Sequence, residues 1–237
     1  MRRSRLADCG VSAAPPNLLL QIWLSPAFPV GAFAYSHGLE LAAERGLVTD
    51  RDTLAAWILV LLQKGSIRSD LILAAAAFRA VQADAAGALC EVAELAAALH
   101  PSAERWLESV TQGRAFLDGI AASWPTPAIA RLEAAWDGDV AYPVAVATAA
   151  AGHGIALLDF LNAYATAFTG NLASAAIRLG CLGQTGAQQA IAGLLPAIAA
   201  AAEAAEASGL DDLGTATWSA DLCSLEHETQ YTRLFRS

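Results

Sequence analysis

The sequence predicts an all-α protein, a single-domain multi-helix bundle whose central helices are buried and rich in alanine. Three observations predict it. Apolar residues recur at helical spacing through 51–136. From residue 142 onward, long stretches are apolar on nearly every side, as in helices buried all round. No stretch sustains the apolar–polar alternation of a half-buried strand.

Taken in order, residues 1–16 read as a disordered N-terminal tail. Arg2, Arg3 and Arg5 precede the apolar run Leu18–Leu24, and Ala32-Phe33-Ala34 resembles a cleavage site. Asp8, Pro15 and Pro16 interrupt that start, however, and the run is short for the apolar core of a signal peptide. The all-α domain spans 17–224. In 51–64, Leu54, Trp57, Ile58, Leu61 and Leu62 share one helix face, with Thr49 placed to cap it and Gly65 to end it. Leu71, Ala75 and Phe78 mark a second helix, and Leu89, Val92, Ala96 and Leu99 a third before Pro101. Trp106, Val110, Gly113, Leu117 and Ile120 give the buried stripe of a helix over 102–122. A short helix follows Pro125 and Pro127, carries Ile129, Leu132 and Trp136, and closes at Asp137-Gly138. Helices at about 143–158, 160–178 and 185–206 are the expected centre, with 51–136 packed outside them. Residues 207–217 form a break, and 225–237 read as a C-terminal docking segment.

Of 237 residues, 14 are Lys or Arg and 23 are Asp or Glu, a net charge of −9 that excludes the basic face of a nucleic-acid binder. Apolar residues make up 56%, which suits a chain that buries further surface at a subunit interface. The four cysteines, Cys9, Cys90, Cys181 and Cys223, lie too far apart for a zinc knuckle, a C-x-x-C redox pair or a dense disulfide scaffold. Free thiols in a reducing, cytoplasmic setting are the expectation. Residues 140–158, 160–177 and 179–202 carry no charge and are long enough to span a bilayer. They are poor in leucine and carry His153, Asn162, Gln184, Gln188 and Gln189, which favours buried helices over a membrane protein.

The chemistry motifs are absent. The sequence has no phosphate-binding G-x-x-x-x-G-K-[ST] loop, no G-x-G-x-x-G turn and no G-x-S-x-G elbow. His227-Glu228 begins a zinc-protease motif, but Tyr231 stands where the second histidine belongs. A helical enzyme using His227 and Glu228 is the alternative, and neighbours on a helix point about 100° apart, away from one shared site. No catalytic residue, cofactor or metal site is assigned. His153 reads as a satisfied core histidine, His100 as solvated, and Glu40 most simply as a solvated helix residue.

Three segments resist a purely structural reading. Leu24–Glu40 is broken by two prolines and two glycines and leads into a helix near residue 34. Arg178 is the only basic residue between Arg131 and Arg233, and it ends a buried helix, where it caps carbonyls or meets a carboxylate. The terminus combines Tyr231, Arg233, Leu234, Phe235 and Arg236, the aromatic and arginine mix of interface anchors.

Together these segments resemble the UreF family of urease accessory proteins across about 18–237. Ser25–Glu40 (SPAFPVGAFAYSHGLE) resembles the family's N-terminal signature. Gly113-Arg114 with Phe116-Leu117, then Tyr142-Pro143-Val144 and Gly154-Ile155, are similar to its middle motifs. Arg178-Leu179 with Leu182-Gly183-Gln184-Thr185 resembles its R-L-x-x-L-G-Q-T segment, and His227–Ser237 its ending. Ala34, Gly180-Cys181 and Ala187 depart from the commoner pattern.

The resemblance implies an all-α homodimer without catalysis of its own. It implies a bridge between the accessory protein UreD (UreH in some species) and the GTPase UreG during nickel delivery to apo-urease, and it leaves modulation of the GTPase open. The residues it marks for partner binding are Tyr35, Ser36, Glu40, Arg178, Gln184, His227, Glu228, Gln230, Tyr231, Arg233, Leu234, Phe235 and Arg236.

Overall fold

A helix begins where a side chain can satisfy its free N–H groups. At Asp50 the carboxylate accepts from the Thr53 amide at 2.9 Å, and the Thr53 hydroxyl accepts from the Asp50 amide at 3.0 Å. This reciprocal box, rather than Thr49, starts the helix Arg51–Lys64. Ser102 caps the helix Ala103–Ser123 in the same way, through the Arg105 amide. Thr126, followed by Pro127, starts Pro127–Ala135.

The structure, a computed structural model, describes residues 16–237, so the tail expected at 1–16 lies outside the described residues except for Pro16. Pro16 opens α1 (Pro16–Trp23), and a single 3-10 turn follows at Ala32–Ala34. The helix expected near residue 34 begins only at Leu39, because His37 and Gly38 both take left-handed backbone angles, φ 56° and 76°. The remaining elements are α2 (Leu39–Glu44), α3 (Arg51–Lys64), α4 (Ser66–Gln82), α5 (Ala86–Ala98), α6 (Ala103–Ser123), α7 (Pro127–Ala135), α8 (Tyr142–Gly152), α9 (Leu157–Arg178), α10 (Gln184–Ala207) and α11 (Trp218–His227). A second 3-10 turn, Leu210–Asp212, lies in the expected break before α11. No strand occurs among the described residues, and the fold is all-α.

The centre is α8. Pro143 through Ala150 are all buried, and α4, α6 and α7 pack against it. Small alanine side chains let these backbones approach closely. The helix stops at Gly152, short of 158, because Gly154 turns left-handed (φ 68°) and the Ile155 amide reaches back to the Ala150 carbonyl. The expectation that 51–136 packs outside the centre fails for α4, which buries Ile67, Phe78 and the run Leu71–Ala75. It fails in the opposite sense for α10. That helix buries one stripe, Ala187, Ala190, Leu194, Ile198, Ala202 and Ala205, against α9 and α3. Leu195, Pro196 and Gly193 face outward. By length and composition α10 could cross a membrane, yet only 28% of its apolar window is buried. The outer face is therefore apolar surface rather than core.

An aromatic cluster fixes the N-terminal end. Trp23 meets Phe116 edge-on at 6.0 Å and Trp124 at 6.3 Å, and Phe28 lies 5.3 Å from Phe116. His153 contacts the Trp23 ring at 5.2 Å, and its Nε2 lies 2.9 Å from the Trp124 carbonyl, which satisfies it as expected.

Gly113 sits where α6 crosses the turn into α8. A Cβ there would lie 2.0 Å from the Val140 carbonyl oxygen, a backbone atom that cannot swing aside. Gly113→Ala is expected to lower stability by at least about 2 kcal/mol. Gly193 has open space around it, so Gly193→Ala in the exposed middle of α10 should raise stability by roughly 0.5–1 kcal/mol. Urea unfolding of both variants checks the pair.

Candidate functional site

The C-terminal end meets the segment just before α2. The Ser36 amide donates to the Ser237 carbonyl at 2.8 Å, and the Arg236 amide donates to the Ala34 carbonyl at 2.8 Å. The Ser36 hydroxyl donates to the same Ser237 oxygen. Beneath this contact lies Glu40, which is buried, not solvated. Its Oε1 accepts from the Leu234 amide at 2.6 Å and its Oε2 from the Phe235 amide at 2.9 Å. Oε2 also lies 3.1 Å from Nε2 of His227. A buried carboxylate is tolerated only with such donors.

His227 is fully buried and reaches a second carboxylate through Nδ1, 2.6 Å from Glu104 Oε2. The other oxygen of Glu104 accepts from Arg233 at 2.6 Å. Gly38 allows α2 to sit this close to α11, since a Cβ there would lie 2.8 Å from the Ser224 nitrogen. A second charged group adjoins the first. Arg105 donates to Glu108 and contacts His37 Nδ1, while His37 Nε2 lies 3.1 Å from Glu108. The Ser237 hydroxyl donates to Glu108 at 2.8 Å, and Gln112 donates to it at 3.1 Å.

The structure divides the residues expected to bind partners. Tyr35, Ser36, Glu40, His227 and Phe235 are buried and hold the terminus in place. Glu228 accepts from the Ala103 amide at 2.8 Å at the start of α6. Both ring nitrogens of His227 are engaged by Glu104 and Glu40, not by Glu228, so the two form no acid–base pair. Gln230 donates to Glu44. Arg178 donates to the Phe33 carbonyl and stacks 4.2 Å from the Phe235 ring centre, a bracing role within the chain. Exposure is greatest at Tyr231 (101%) and Leu234 (62%), with the Arg233 and Arg236 side chains also exposed. Gln184 stands exposed at the first position of α10, with no side-chain hydrogen bond to the others.

Sequence reasoning missed Glu104, Arg105, Glu108 and Gln112. Their signal was present, since 104, 108 and 112 step by four along one helix face. Trp106, expected inside, is partly exposed, while Arg105 and Glu108 are buried in its place. Mutual pairing makes charged residues acceptable there. His100 also differs from expectation. It is half-buried, Nε2 lacks a partner, and burial pushes its pKa down.

Beside this charged cluster opens a cavity of about 410 Å³, lined by Phe28, Phe33 and Phe168 and, deeper, by Asp70, Tyr142 and Tyr164. The Tyr164 hydroxyl donates to Asp70 Oδ2 at 3.1 Å. Burial pushes Asp70 up to about 7, and the Glu108 charge adds to the rise. Asp70 keeps some surface open to the cavity, so its site is confined and poorly hydrated rather than dry. Burial likewise raises both tyrosines. It also raises the thiols of Cys181 and Cys223, which are therefore not activated thiolates. Among the described residues, no three His, Cys, Asp or Glu side chains converge as a metal site.

These features define an all-α protein whose C-terminal end is tied into the fold by buried charged groups and leaves Tyr231 and Leu234 exposed. Comparison with known proteins gives the family. The UreF family profile matches residues 48–195. The chain is 51% identical to the urease accessory protein UreF of Methylobacterium radiotolerans, over 93% of this chain and 96% of that one. It is 50% identical to that of Xanthobacter autotrophicus, over 98% and 96%. With the Bradyrhizobium diazoefficiens protein of the same name it shares 49% identity, over 97% and 95%. The chain belongs to the UreF family of urease accessory proteins, which are not enzymes.

Two expected outcomes follow from the buried carboxyls. Glu40→Ala should leave helical content intact but free the Leu234 and Phe235 amides, at a local cost of about 1–3 kcal/mol. Faster hydrogen exchange at those two amides checks it. For Asp70, between its ordinary 3.8 and about 7 the folded chain holds a proton that the unfolded chain has released, so stability falls as pH rises through that window. From about pH 4 to about pH 8 the decline is on the order of 3 kcal/mol, and Asp70→Asn should remove it from the urea-unfolding profile.

Proposed function

We propose that this chain is a non-catalytic scaffold for urease maturation. It bridges a UreD/UreH-like protein and a UreG-like GTPase during nickel delivery to apo-urease, in the cytoplasm. Membership in the family supports the maturation role. The observation that carries the docking role is the exposed apolar surface at the C-terminal end. Along α11, Trp218 (79% exposed), Leu222 and Leu225 follow the i, i+4, i+7 spacing of one helix stripe. Beyond the helix, Tyr231 and Leu234 are exposed as well. Aromatic and aliphatic side chains displayed on a rigid base fit a protein partner, whereas a net charge of −9 does not suit nucleic acid.

The outer face of α10 supports self-association. Leu195, half exposed, stands among Ala192, Gly193 and Pro196, a flat surface on which a second copy can lie closely. In this reading α10 serves the homodimer and the C-terminal end serves the UreD/UreH-like partner. The UreG-like GTPase then meets the surface that the dimer forms, where its GTP hydrolysis is open to modulation.

Deleting 225–237 is a blunt test, because it removes His227 and Phe235 from the core and strips Glu40 of its donors. The sharper variant is Tyr231→Ala with Leu234→Ser, both at exposed positions. It should fold normally yet lose at least about tenfold in affinity for the UreD/UreH-like partner, as expected for hot-spot anchors. Unchanged pull-down would sink the docking role. Co-expression with the urease subunits and the other accessory proteins tests the wider role. Nickel-dependent urease activity should collapse when this chain is omitted.

A further inference from the structure

The 410 Å³ cavity is larger than packing defects in protein interiors, and its walls are unequal. Toward the surface it is apolar, and Phe33, 71% exposed, marks its mouth. Pro26, Pro29 and Phe28 hold that side in a loop of restricted backbone, and Phe168 of α9 faces them across the opening. The deep end carries hydrogen-bonding groups whose capacity is unspent. Asp70 uses Oδ2 for the Tyr164 hydroxyl, and Oδ1 has no partner among the described residues. The Tyr142 hydroxyl donates to no described residue either, and its ring lies 5.7 Å from that of Tyr164.

Charge at the deep end is also unbalanced. Lining the cavity together with Asp70 are Arg105 and Glu108 from α6, His37 from the loop before α2, Tyr142 from α8 and Tyr164 from α9. Arg105 is engaged by Glu108 and His37, so its charge is already matched. From α10 the lining supplies only Gln188 and Ile191, which are uncharged. Arg68, on the same helix as Asp70, turns to the Gly214 carbonyl at 3.4 Å. Asp70 is thus the one carboxylate of this lining without a cation. A bare divalent ion is a poor match, since hard cations take several oxygen ligands and the residues do not converge into such a set. An anion is a worse one.

We propose that this cavity is a binding site for an organic cation, a guanidinium, amidinium or alkylammonium head on a short apolar stem. The head pairs with Asp70 and lies against the rings of Tyr142 and Tyr164. The stem runs along Phe28 and Phe168 toward the mouth at Phe33. Aromatic walls favour such a head over a hydrated metal ion. The volume holds the head and a stem of a few carbons. The same chemistry can arrive as a free small molecule or as a basic side chain of a protein. The site stands independently of the urease-maturation role.

The test is calorimetric titration of the full-length protein with n-butylguanidinium, and in a second arm with an unstructured peptide carrying a single arginine. Saturable one-to-one binding of the small probe is expected. Asp70 must lose its proton to pair, so affinity should be about tenfold weaker near pH 6 than near pH 8. Asp70→Asn should abolish binding. Tyr164→Phe removes the hydrogen bond that lowers the Asp70 pKa, so it should move the pH profile upward while leaving binding at high pH. That shift is one a merely structural role would not produce. Binding of both probes assigns the site to a protein side chain, and binding of the small one alone to a free molecule. No saturable binding, binding unaltered in Asp70→Asn, or displacement of the probe by micromolar Ni²⁺ would overturn the assignment.

Discussion

A carboxylate below a protein surface needs donors, and the placement of the whole C-terminal end follows from how Glu40 finds them. Its two oxygens take the backbone amides of Leu234 and Phe235 and lie against His227. No side chain of α2 could supply these donors. They come from the opposite end of the sequence, so the terminus is bound into the fold rather than appended to it. Removing the donors leaves an unpaired buried carboxylate, and removing the carboxylate leaves two amides without their acceptor. The left-handed turn at His37 and Gly38 serves this contact by bringing α2 beside α11.

The second charged group extends this arrangement inward. Glu108 receives Arg105, Gln112 and the Ser237 hydroxyl, and approaches His37. It therefore touches the terminus on one side and the cavity on the other. Helix α6 can turn a polar face into the protein because each charge there meets its opposite. The aromatic cluster around Trp23 closes the neighbouring end of the same helix, with Phe116 as its contact.

Much of the fold was legible because capping and periodicity are local. The boundaries of α3, α6 and α9 lie within a few residues of those expected. The errors have a common cause. Alanine is nearly indifferent to burial, so an alanine-rich helix such as α10 reads as core from every side while burying only one stripe. Glu40 reads as solvated because its partners, His227 and the Leu234 and Phe235 amides, lie far along the chain, beyond the reach of any periodicity. Family resemblance marked two segments that the structure brings together. Ser25–Glu40 and His227–Ser237, motifs at opposite ends of the sequence, fold onto one another. Asp70 and Tyr164 gave no signal, since a lone carboxylate and a lone phenol on separate helices make no pattern.

The division of labour within the last residues has an energetic consequence. Phe235 and Ser237 are buried, while Tyr231 and Leu234 before them stand in solvent. Backbone bonds from Leu234, Phe235 and Arg236 fix the intervening chain, so the exposed anchors are already ordered. Immobilising a free segment on binding would cost about 1–2 kcal/mol of backbone entropy per residue. Here most of that ordering is accomplished by folding, so in the docking role proposed above a partner would meet a surface close to its bound shape. The buried charges, which contribute little net stability as isolated pairs, thereby hold the exposed side chains of the terminus still, the condition that the docking role proposed above requires.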